Sequence, residues 1–263
     1  MSAVTISFSL QKGGVGKTTT CGLSAFLLNQ LGFSVLAIDM DSQGNLTQLI
    51  SGIDDLSVFS GETVKEALEN NDIESYINVS DSENLHYVPA DDYLVLINDY
   101  AAKNKSYLLK NAIQSVKNDY DFILIDTPPN LSIQTLNALM ASDFVVIMFE
   151  TAKFAYNAIP RFIETVKGIQ KNGNTALQIA GILATLSDAR RNDNKELLKL
   201  IRDDYGNLVF DSVIPRRASI GRLSVEGFFN NPEINQASKT HKKFVEEMIE
   251  RVKLEKQIQQ TSR

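Results

Sequence analysis

Short, nearly continuous apolar stretches alternate along this chain with segments in which apolar residues recur every three or four positions. The stretches are typical of strands that helices cover on both faces, and the periodic segments are typical of amphipathic helices. Strands are predicted at residues 4–9, 34–39, 85–89, 122–126, 144–149, 177–184 and 209–214. Helices are predicted at residues 18–31, 63–69, 94–117, 132–141, 158–171, 194–204 and 239–256. The alternation indicates an α/β fold with a doubly wound, mostly parallel sheet flanked by helices.

The length of 263 residues suits one large α/β domain over residues 1–263, with two small domains as the weaker alternative. No Pro/Gly/Ser-rich linker divides the chain, and the polar tail from about residue 254 is expected to fray. The N-terminus lacks a signal-peptide pattern, and no apolar run approaches the roughly 18 residues of a membrane helix. Cys21 is the only cysteine, which excludes an intrachain disulfide and a four-cysteine metal site. These features predict a cytoplasmic protein.

The net charge of −6 is unevenly distributed. Residues 1–189 contain 11 Lys and Arg against 21 Asp and Glu, whereas residues 190–263 contain 15 against 11. An acidic chain of this kind excludes a generic basic coat for nucleic acid, but it leaves a local DNA-binding surface possible.

A glycine-rich segment follows the first predicted strand. Residues 11–19 read Gln-Lys-Gly-Gly-Val-Gly-Lys-Thr-Thr, and a predicted helix comes next. This arrangement directs backbone N–H groups and a helix N-terminus at one point, which suits a triphosphate. The predicted nucleotide-binding residues are Gly13, Gly14, Val15, Gly16, Lys17, Thr18 and Thr19. Lys17 would reach the β- and γ-phosphates, and the Thr18 hydroxyl would bind Mg²⁺. Gln11 replaces the first glycine of the general G-x-x-x-x-G-K-[ST] pattern, and Lys12 is an additional lysine.

Two acidic clusters follow other predicted strands. Asp39 and Asp41 end the second strand, and Asp126 ends the strand at 122–126 and precedes two prolines. An aspartate at the end of an apolar strand beside a phosphate loop typically binds Mg²⁺, directly or through water. The phosphate loop and the two acidic clusters, at the ends of three separate strands, therefore predict a Mg²⁺-nucleotide site at the carboxyl edge of the sheet.

These motifs resemble the ParA/MinD class of deviant-Walker P-loop ATPases, and within it the Soj-like ParA partition ATPases. The resemblance is carried by residues 12–19, by Asp-Met-Asp-Ser-Gln-Gly-Asn at 39–45, by Ile-Asp-Thr-Pro-Pro at 125–129 and by Ile-Pro-Arg at 214–216. A fifth segment, 186–192, is similar to a stretch in which ParA proteins carry DNA-binding arginine. The motifs run in family order from residue 4 to about 225.

The resemblance implies a role for each matched residue. Lys12 would reach across a two-fold interface to the partner's ATP, and Lys17 would bind the protomer's own phosphates. Asp41 would orient or activate the attacking water. Asp126 would bind Mg²⁺ with Thr18 and couple loss of the γ-phosphate to movement after Pro129. The implied catalytic residues are thus Lys12, Lys17, Asp41 and Asp126, and Pro215 would lie near the adenine.

The resemblance also implies partners: an ATP-dependent homodimer, non-specific DNA, and a ParB-like centromere-binding protein, with no membrane and with association to the nucleoid in the ATP state. The predicted DNA-binding residues are Arg190, Arg191, Arg216, Arg217 and Arg222, which follow two strand ends. Cations that contact phosphates suit binding without sequence preference. Lys239, Lys242 and Lys243 are weaker candidates because their helix becomes acidic.

Three other functions are compatible with the phosphate loop. A MinD-like ATPase would need an amphipathic membrane helix, and the apolar residues of 244–260 are spaced as in a helix that packs on the protein body. An iron–sulfur reductase relative would need more cysteines than Cys21. A metabolic ligase of the cobyrinic-acid amidase type would show a further glutamine-amide-transfer domain or a substrate pocket, and the sequence indicates neither.

Overall fold

The computed structural model describes residues 2–100, 104–188, 190–216 and 234–261. Its centre is an eight-stranded sheet with the order β3-β4-β2-β5-β1-β6-β7-β8. The strands are β1 (Val4–Ser9), β2 (Val35–Asp39), β3 (Asn78–Val79), β4 (Leu85–Val88), β5 (Phe122–Asp126), β6 (Phe144–Glu150), β7 (Gln178–Ser187) and β8 (Val209–Pro215). Neighbouring strands are parallel except for β3 with β4 at one edge. This confirms the predicted doubly wound, mostly parallel fold and all seven predicted strands; the short β3 was not predicted.

Helices cover both faces of this sheet. In the described residues they are α1 (Lys17–Gln30), α2 (Asn45–Ser51), α3 (Val64–Asn70), α4 (Leu108–Ala112), α5 (Ile133–Ala141), α6 (Lys153–Tyr156), α7 (Ala158–Asn172), α8 (Asn192–Tyr205) and α9 (Ile234–Thr261). Strand β2 shows the two faces: Val35 and Ala37 pack in one apolar cluster, and Leu36 and Ile38 pack in the other. All four side chains are fully buried. Burial on both sides explains why the strands read as continuous apolar runs.

The sheet order brings three chemically important strand ends together. Strand β5 lies between β1 and β2, and its Asp126 pairs in register with Phe8 on one side and with Asp39 on the other. Because these strands are parallel, the segments that follow them leave the sheet at the same edge. The phosphate loop and both acidic clusters therefore meet there.

The prediction of one helix over residues 94–117 is wrong. The chain instead forms a 3₁₀ helix at Asp92–Asn98, a second at Lys105–Tyr107 and then α4. Asn104 has a φ of 59°, which is incompatible with a continuous right-handed helix. The buried amide of Asn137 accepts from the Leu109 N–H (3.0 Å) and donates to the Lys105 carbonyl (2.8 Å), so tertiary hydrogen bonds replace helical ones there.

Three other helices differ from the prediction. Helices α2 and α6 were not predicted, because each has seven residues or fewer and shows little periodicity. Helix α9 begins at Ile234 and extends to Thr261, beyond the predicted limits of 239 and 256. Whether its last turns fray concerns motion and stays a prediction.

Two side chains of α9 bind the exposed edge of the sheet at β8. Glu247 accepts from the N–H groups of Asp211 (2.9 Å) and Ser212 (3.0 Å). Arg251 donates to the carbonyls of Val209 and Asn207 (2.9 Å each), pairs with Glu247 at 2.8 Å, and stacks on the Phe210 ring. These contacts satisfy backbone groups that an edge strand would otherwise leave open to pairing with another chain.

Arg251→Ala is therefore expected to lower the free energy of unfolding by about 2–4 kcal/mol, since it removes several charge-assisted hydrogen bonds and leaves a half-buried carboxylate without its partner. Urea denaturation of the full chain measures this loss. Arg202→Ala is the matched control, because Arg202 makes one exposed hydrogen bond to the same strand, at the Asp211 carbonyl. Equal losses for the two variants would contradict the assigned role.

Candidate nucleotide site

The segment between β1 and α1 has the backbone geometry of an anion-binding loop. Gly14 and Gly16 have φ values of 73° and 79°, in the left-handed region that favours glycine. Gly16 precedes α1, whose N-terminus has no side-chain cap and no acidic residue in its first turn. Its backbone N–H groups and helix dipole are consequently available to a phosphate.

Lys17 lies under this loop and is 6% exposed. Its ammonium donates to the carbonyl of Lys12 at 3.1 Å, across the base of the loop. Burial lowers the pKa of Lys17, while the carboxylates of Asp126 and Asp41 raise it in part. The structure thus brings Lys17 and two of the predicted acidic residues into one electrostatic group.

Asp39 anchors the segment that carries Asp41. It is buried, and it accepts from the N–H of Asp41 (3.0 Å) and from the N–H and hydroxyl of Thr47 (2.9 and 2.8 Å). Burial raises the pKa of Asp39, and these hydrogen bonds act in the opposite direction. Its carboxylate is occupied by backbone and side-chain donors, which fits a structural role.

Asp41 lies in a tight turn at the edge of the site and is 9% exposed. Its Oδ1 accepts from the Gln43 N–H at 3.1 Å, and its carbonyl accepts from the Gly44 N–H at 3.0 Å. Gly44 has a φ of 61°, and a Cβ there would lie 2.9 Å from the Ala90 carbonyl. The turn therefore requires glycine at this position in order to present Asp41.

Asp126 has the features of a cation ligand. It is fully buried, and neither carboxylate oxygen has a hydrogen-bond partner among the described residues. Burial and the neighbouring Asp39 raise its pKa, against the smaller effects of the Thr18 hydroxyl and Lys17. A buried carboxylate without hydrogen bonds, next to a hydroxyl, is the hard oxygen set that Mg²⁺ prefers. Thr18 and Asp126 therefore fit a magnesium ion.

The turn after β5 contacts the phosphate loop. The Thr127 hydroxyl donates to the Phe8 carbonyl at 2.7 Å and lies 2.7 Å from the Ser9 hydroxyl. Pro129 lies against Gly13, at van der Waals distance from where a Cβ would be. The segment that follows Asp126 is therefore in direct contact with β1 and with the phosphate loop.

Lys12, the additional lysine, is paired within its own protomer. Its ammonium lies 2.7 Å from Oε2 of Glu150 at the end of β6, and Arg216 lies 3.2 Å from the other carboxylate oxygen. Glu150 is not among the site residues predicted from the sequence. It ends an apolar strand in the same way as Asp39 and Asp126 do, and that signal could have found it.

A cavity of about 910 Å³ opens beside these residues, at the ends of β6 and β7. Its described lining includes Glu150, Thr151, Leu186, Asp188, Asn194, Leu197 and Arg216. Pro215, the predicted adenine neighbour, pairs in register with Ser187 next to this lining. Leu186 has a φ of 52°, an uncommon conformation for a residue with a side chain.

Two polar residues that the sequence analysis missed join the strand ends around the cavity. Thr185 donates to the carbonyl of Val15 in the phosphate loop at 2.8 Å. Asn194 is 6% exposed, and with its amide oxygen towards the Asp188 N–H it accepts from that group (2.9 Å) and donates to the Thr151 carbonyl (3.1 Å). A buried Thr or Asn outside a motif has no sequence signal that separates it from ordinary core polar residues.

The predicted DNA-binding arginines that the structure describes are each paired with an acid. Arg190 binds Asp188 through two nitrogens at 3.0 Å, Arg191 binds Asp193 at 2.7 Å, and Arg216 binds Glu150. Arg190 lowers the pKa of Asp188 to about 2. Arg217 and Arg222 lie outside the described residues.

The apolar face of α9 packs on the protein body. Phe244, Met248 and Val252 are buried, and the Phe244 ring makes edge contacts with Phe8 and Phe210. No helix within the described ranges is long and apolar enough to cross a membrane. These buried residues thus pack against the rest of the protein, as their spacing predicted.

Comparison with known proteins agrees with this geometry. The AAA domain family model matches residues 3–179. The sporulation initiation inhibitor protein Soj of Bacillus subtilis is 36% identical over 225 residues, which cover 84% of this chain and 88% of Soj. A cobyrinic acid a,c-diamide synthase structure from Mycobacterium smegmatis, with bound ADP and magnesium, is 30% identical with a TM-score of 0.76, covering 85% and 91% of the two chains. A putative plasmid partition protein from Borrelia burgdorferi bound to AMPPNP is 27% identical with a TM-score of 0.77, covering 94% and 99%.

The chain shares its fold with structures that bind nucleotide and magnesium, and its phosphate loop is of the kind that such a ligand requires. The chain is accordingly an ATPase that uses ATP and Mg²⁺. Soj and ParA proteins are among the relatives that share more than 30% sequence identity with this chain over most of both lengths. The chain belongs to the Soj/ParA family of partitioning ATPases.

Proposed function

We propose that this protein is an ATPase that dimerises with ATP, binds DNA without sequence preference in that state, and partitions a plasmid or chromosome. The main observation in support is that the two lysines of the loop lie in different surroundings. Lys17 is buried, whereas the Lys12 ammonium lies against Glu150 at the end of β6 and the Lys12 side chain is 26% exposed. A lysine that the protomer's own phosphates do not require is available to a second protomer.

The chemistry of the site supports this mechanism. The loop residues 13–19 and Lys17 bind the triphosphate, Pro215 and the adjoining cavity take the adenine, and Asp41 orients the attacking water. Thr18 and Asp126 would hold Mg²⁺, which would supply positive charge next to the phosphates. Phosphoryl transfer depends on positioning and positive charge more than on covalent catalysis, so a lysine supplied by the partner makes hydrolysis depend on dimerisation.

The surface arginines support DNA binding that depends on the dimer. In one protomer, Arg190, Arg191 and Arg216 are each paired with a carboxylate. Exposed ion pairs contribute little to stability, so DNA phosphates can displace the acids. A dimer doubles the number of arginines that one surface presents to DNA. A ParB-like centromere-binding protein is the proposed partner, and the ATP state is proposed to lie on the nucleoid in the cytoplasm.

DNA binding is the test of this proposal. With ATP, two duplexes of unrelated sequence are expected to bind about equally, and binding is expected to weaken strongly with ADP or without nucleotide. Glutamate at Arg216 or Arg222 is expected to weaken both duplexes alike and to flatten the salt dependence by about 0.9 in slope for each DNA phosphate that is no longer neutralised. Titrations at several salt concentrations measure both quantities.

Arg161→Glu is the matched control, because Arg161 is exposed on α7 and its substitution changes the surface charge by the same amount. It is expected to bind DNA as the wild type does. Equal affinity in the ATP and ADP states, or a strong preference for one duplex, would count against partition. Binding to liposomes in place of DNA would favour the MinD-like alternative.

The diamide synthase name of one structural neighbour makes an amide-forming ligase the second candidate. A ligase of that type would couple ATP consumption to its carboxylic acid substrate and an amide donor, and DNA would leave its rate unchanged. ATP turnover measured with cobyrinic acid and glutamine, and separately with DNA and a partner protein, separates the two functions.

A further inference from the structure

Glu150 lies between two cations that the proposed function uses for different purposes. Its Oε2 lies 2.7 Å from the ammonium of Lys12, and its Oε1 lies 3.2 Å from the guanidinium of Arg216. The Lys12 and Glu150 side chains are only 26% and 20% exposed, so the pair is partly shielded from solvent. The positive charge of Lys12 is therefore already balanced by Glu150 when no second protomer is present.

The carboxylate is presented by a rigid part of the fold. Glu150 is the last residue of β6 and pairs in register with Thr185 of β7. The Thr185 hydroxyl binds the carbonyl of Val15 in the phosphate loop, and the next residue, Thr151, is bound by Asn194. Glu150 and the backbone of the loop are thus tied to the same two strands, and this fixes the carboxylate within reach of Lys12.

We propose that Glu150 is a positioning residue that retains Lys12 within its own protomer, so that ATP-driven pairing with a second copy of this chain must first break the Lys12–Glu150 contact. The inference rests on the proposed function, in which Lys12 binds the partner's ATP. One ammonium cannot lie against Glu150 and against a phosphate of another protomer at once. Because a bound triphosphate carries more negative charge than one carboxylate, the exchange favours the dimer only when nucleotide is present.

A two-fold dimer breaks two such pairs. Pairs of this exposure are worth up to about 5.5-fold each in an equilibrium constant, which gives up to about 30-fold for the dimer. Glu150→Gln keeps the size of the side chain and removes its charge. It is therefore expected to tighten the dimer formed with AMPPNP by about 10- to 30-fold, measured by light scattering over a protein dilution series, and to raise ATP hydrolysis at low protein concentration. A gain in dimer affinity is a readout that a loss of structure would not produce.

Glu250→Gln is the control, since Glu250 is exposed on α9 and does not line the proposed adenine cavity. It removes one negative charge from the surface without touching Lys12, and it is expected to leave the dimer affinity unchanged. An equal gain from both variants would reduce the effect to net charge and would overturn the inference.

A second measurement examines the Lys12–Glu150 pair without requiring a dimer. Acylation of lysine amines by a succinimidyl ester, read by mass spectrometry on the nucleotide-free chain, is expected to modify Lys12 several-fold faster in Glu150→Gln, with exposed Lys167 as the internal reference. Equal rates would show that the pair does not restrain Lys12 and would overturn the inference.

The failure of the inference is distinguishable from that of the proposed function. If the wild type stays monomeric with AMPPNP, or if Lys12→Ala dimerises as the wild type does, the proposed function fails and the inference fails with it. If the wild type dimerises, Lys12→Ala does not, and Glu150→Gln dimerises no better than the wild type, the inference alone is overturned.

Discussion

Lys12→Ala is expected to bind ATP with near wild-type affinity, to remain monomeric, and to lose hydrolysis by at least about a hundredfold, the usual cost of removing one preorganised charge from a transition state. ATP binding persists because Lys17 contacts the backbone carbonyl of residue 12, which alanine retains. The dimer does not form because the substitution removes the proposed cation for the partner's phosphates. Fluorescent-nucleotide titration, light scattering and phosphate release measure the three quantities on one preparation.

Lys17→Ala is the informative comparison. Lys17 is buried beneath the loop, so its removal is expected to abolish nucleotide binding itself, and the absence of a dimer then follows from the absence of ATP. If nucleotide binding is retained in Lys12→Ala and abolished in Lys17→Ala, Lys17 is the lysine that binds the protomer's own ATP, and Lys12 has a different role. A normal ATP-dependent dimer of Lys12→Ala would show that Lys12 does not act across an interface.

The site residues that were predictable from the sequence lie in short motifs of neighbouring residues. Strands β2 and β5 are apolar runs that end in aspartate, and β1, which alternates apolar with small polar residues, leads into the glycine-rich segment. The approach of these segments follows from the rule that parallel strands end at one edge. Their relative order needed the structure: β5 lies between β1 and β2, although it follows both in sequence. That order is what makes Asp39 and Asp126 direct neighbours.

What could not be predicted depends on long-range contacts. The hydrogen bonds of Asn137 to residues 105 and 109 determine where the helix predicted at 94–117 breaks, and they join residues about 30 positions apart. The pairing of Lys12 with Glu150 spans 138 positions. An isolated aspartate also gives no indication of its partners: Asp39 and Asp41 share one motif, yet Asp39 is saturated by hydrogen bonds and Asp41 faces the edge of the site.

Asp41 is the residue whose substitution is expected to trap the ATP state. Asp41→Asn retains an acceptor for the Gln43 N–H, and therefore the turn, but an amide can neither accept a proton from water nor carry negative charge. Hydrolysis is expected to fall by about 10²-fold or more, while nucleotide binding persists because Lys17, Thr18 and Asp126 are unchanged. ATP-dependent dimers should accumulate in this variant, and single-turnover assays alongside light scattering measure both effects.

Asp55→Asn supplies the control for Asp41→Asn, because Asp55 makes the same kind of hydrogen bond to the N–H two residues later, with Ser57 at 3.0 Å, on an exposed surface. Both substitutions retain an acceptor for the turn, so a general effect of losing an aspartate charge at such a turn would slow both variants. If the chemistry requires the carboxylate, only Asp41→Asn is slow, and Asp41→Ala matches it. Wild-type turnover in Asp41→Asn, both basal and partner-stimulated, would remove Asp41 from the mechanism and leave Asp126, the other strand-end carboxylate near Lys17, as the next candidate.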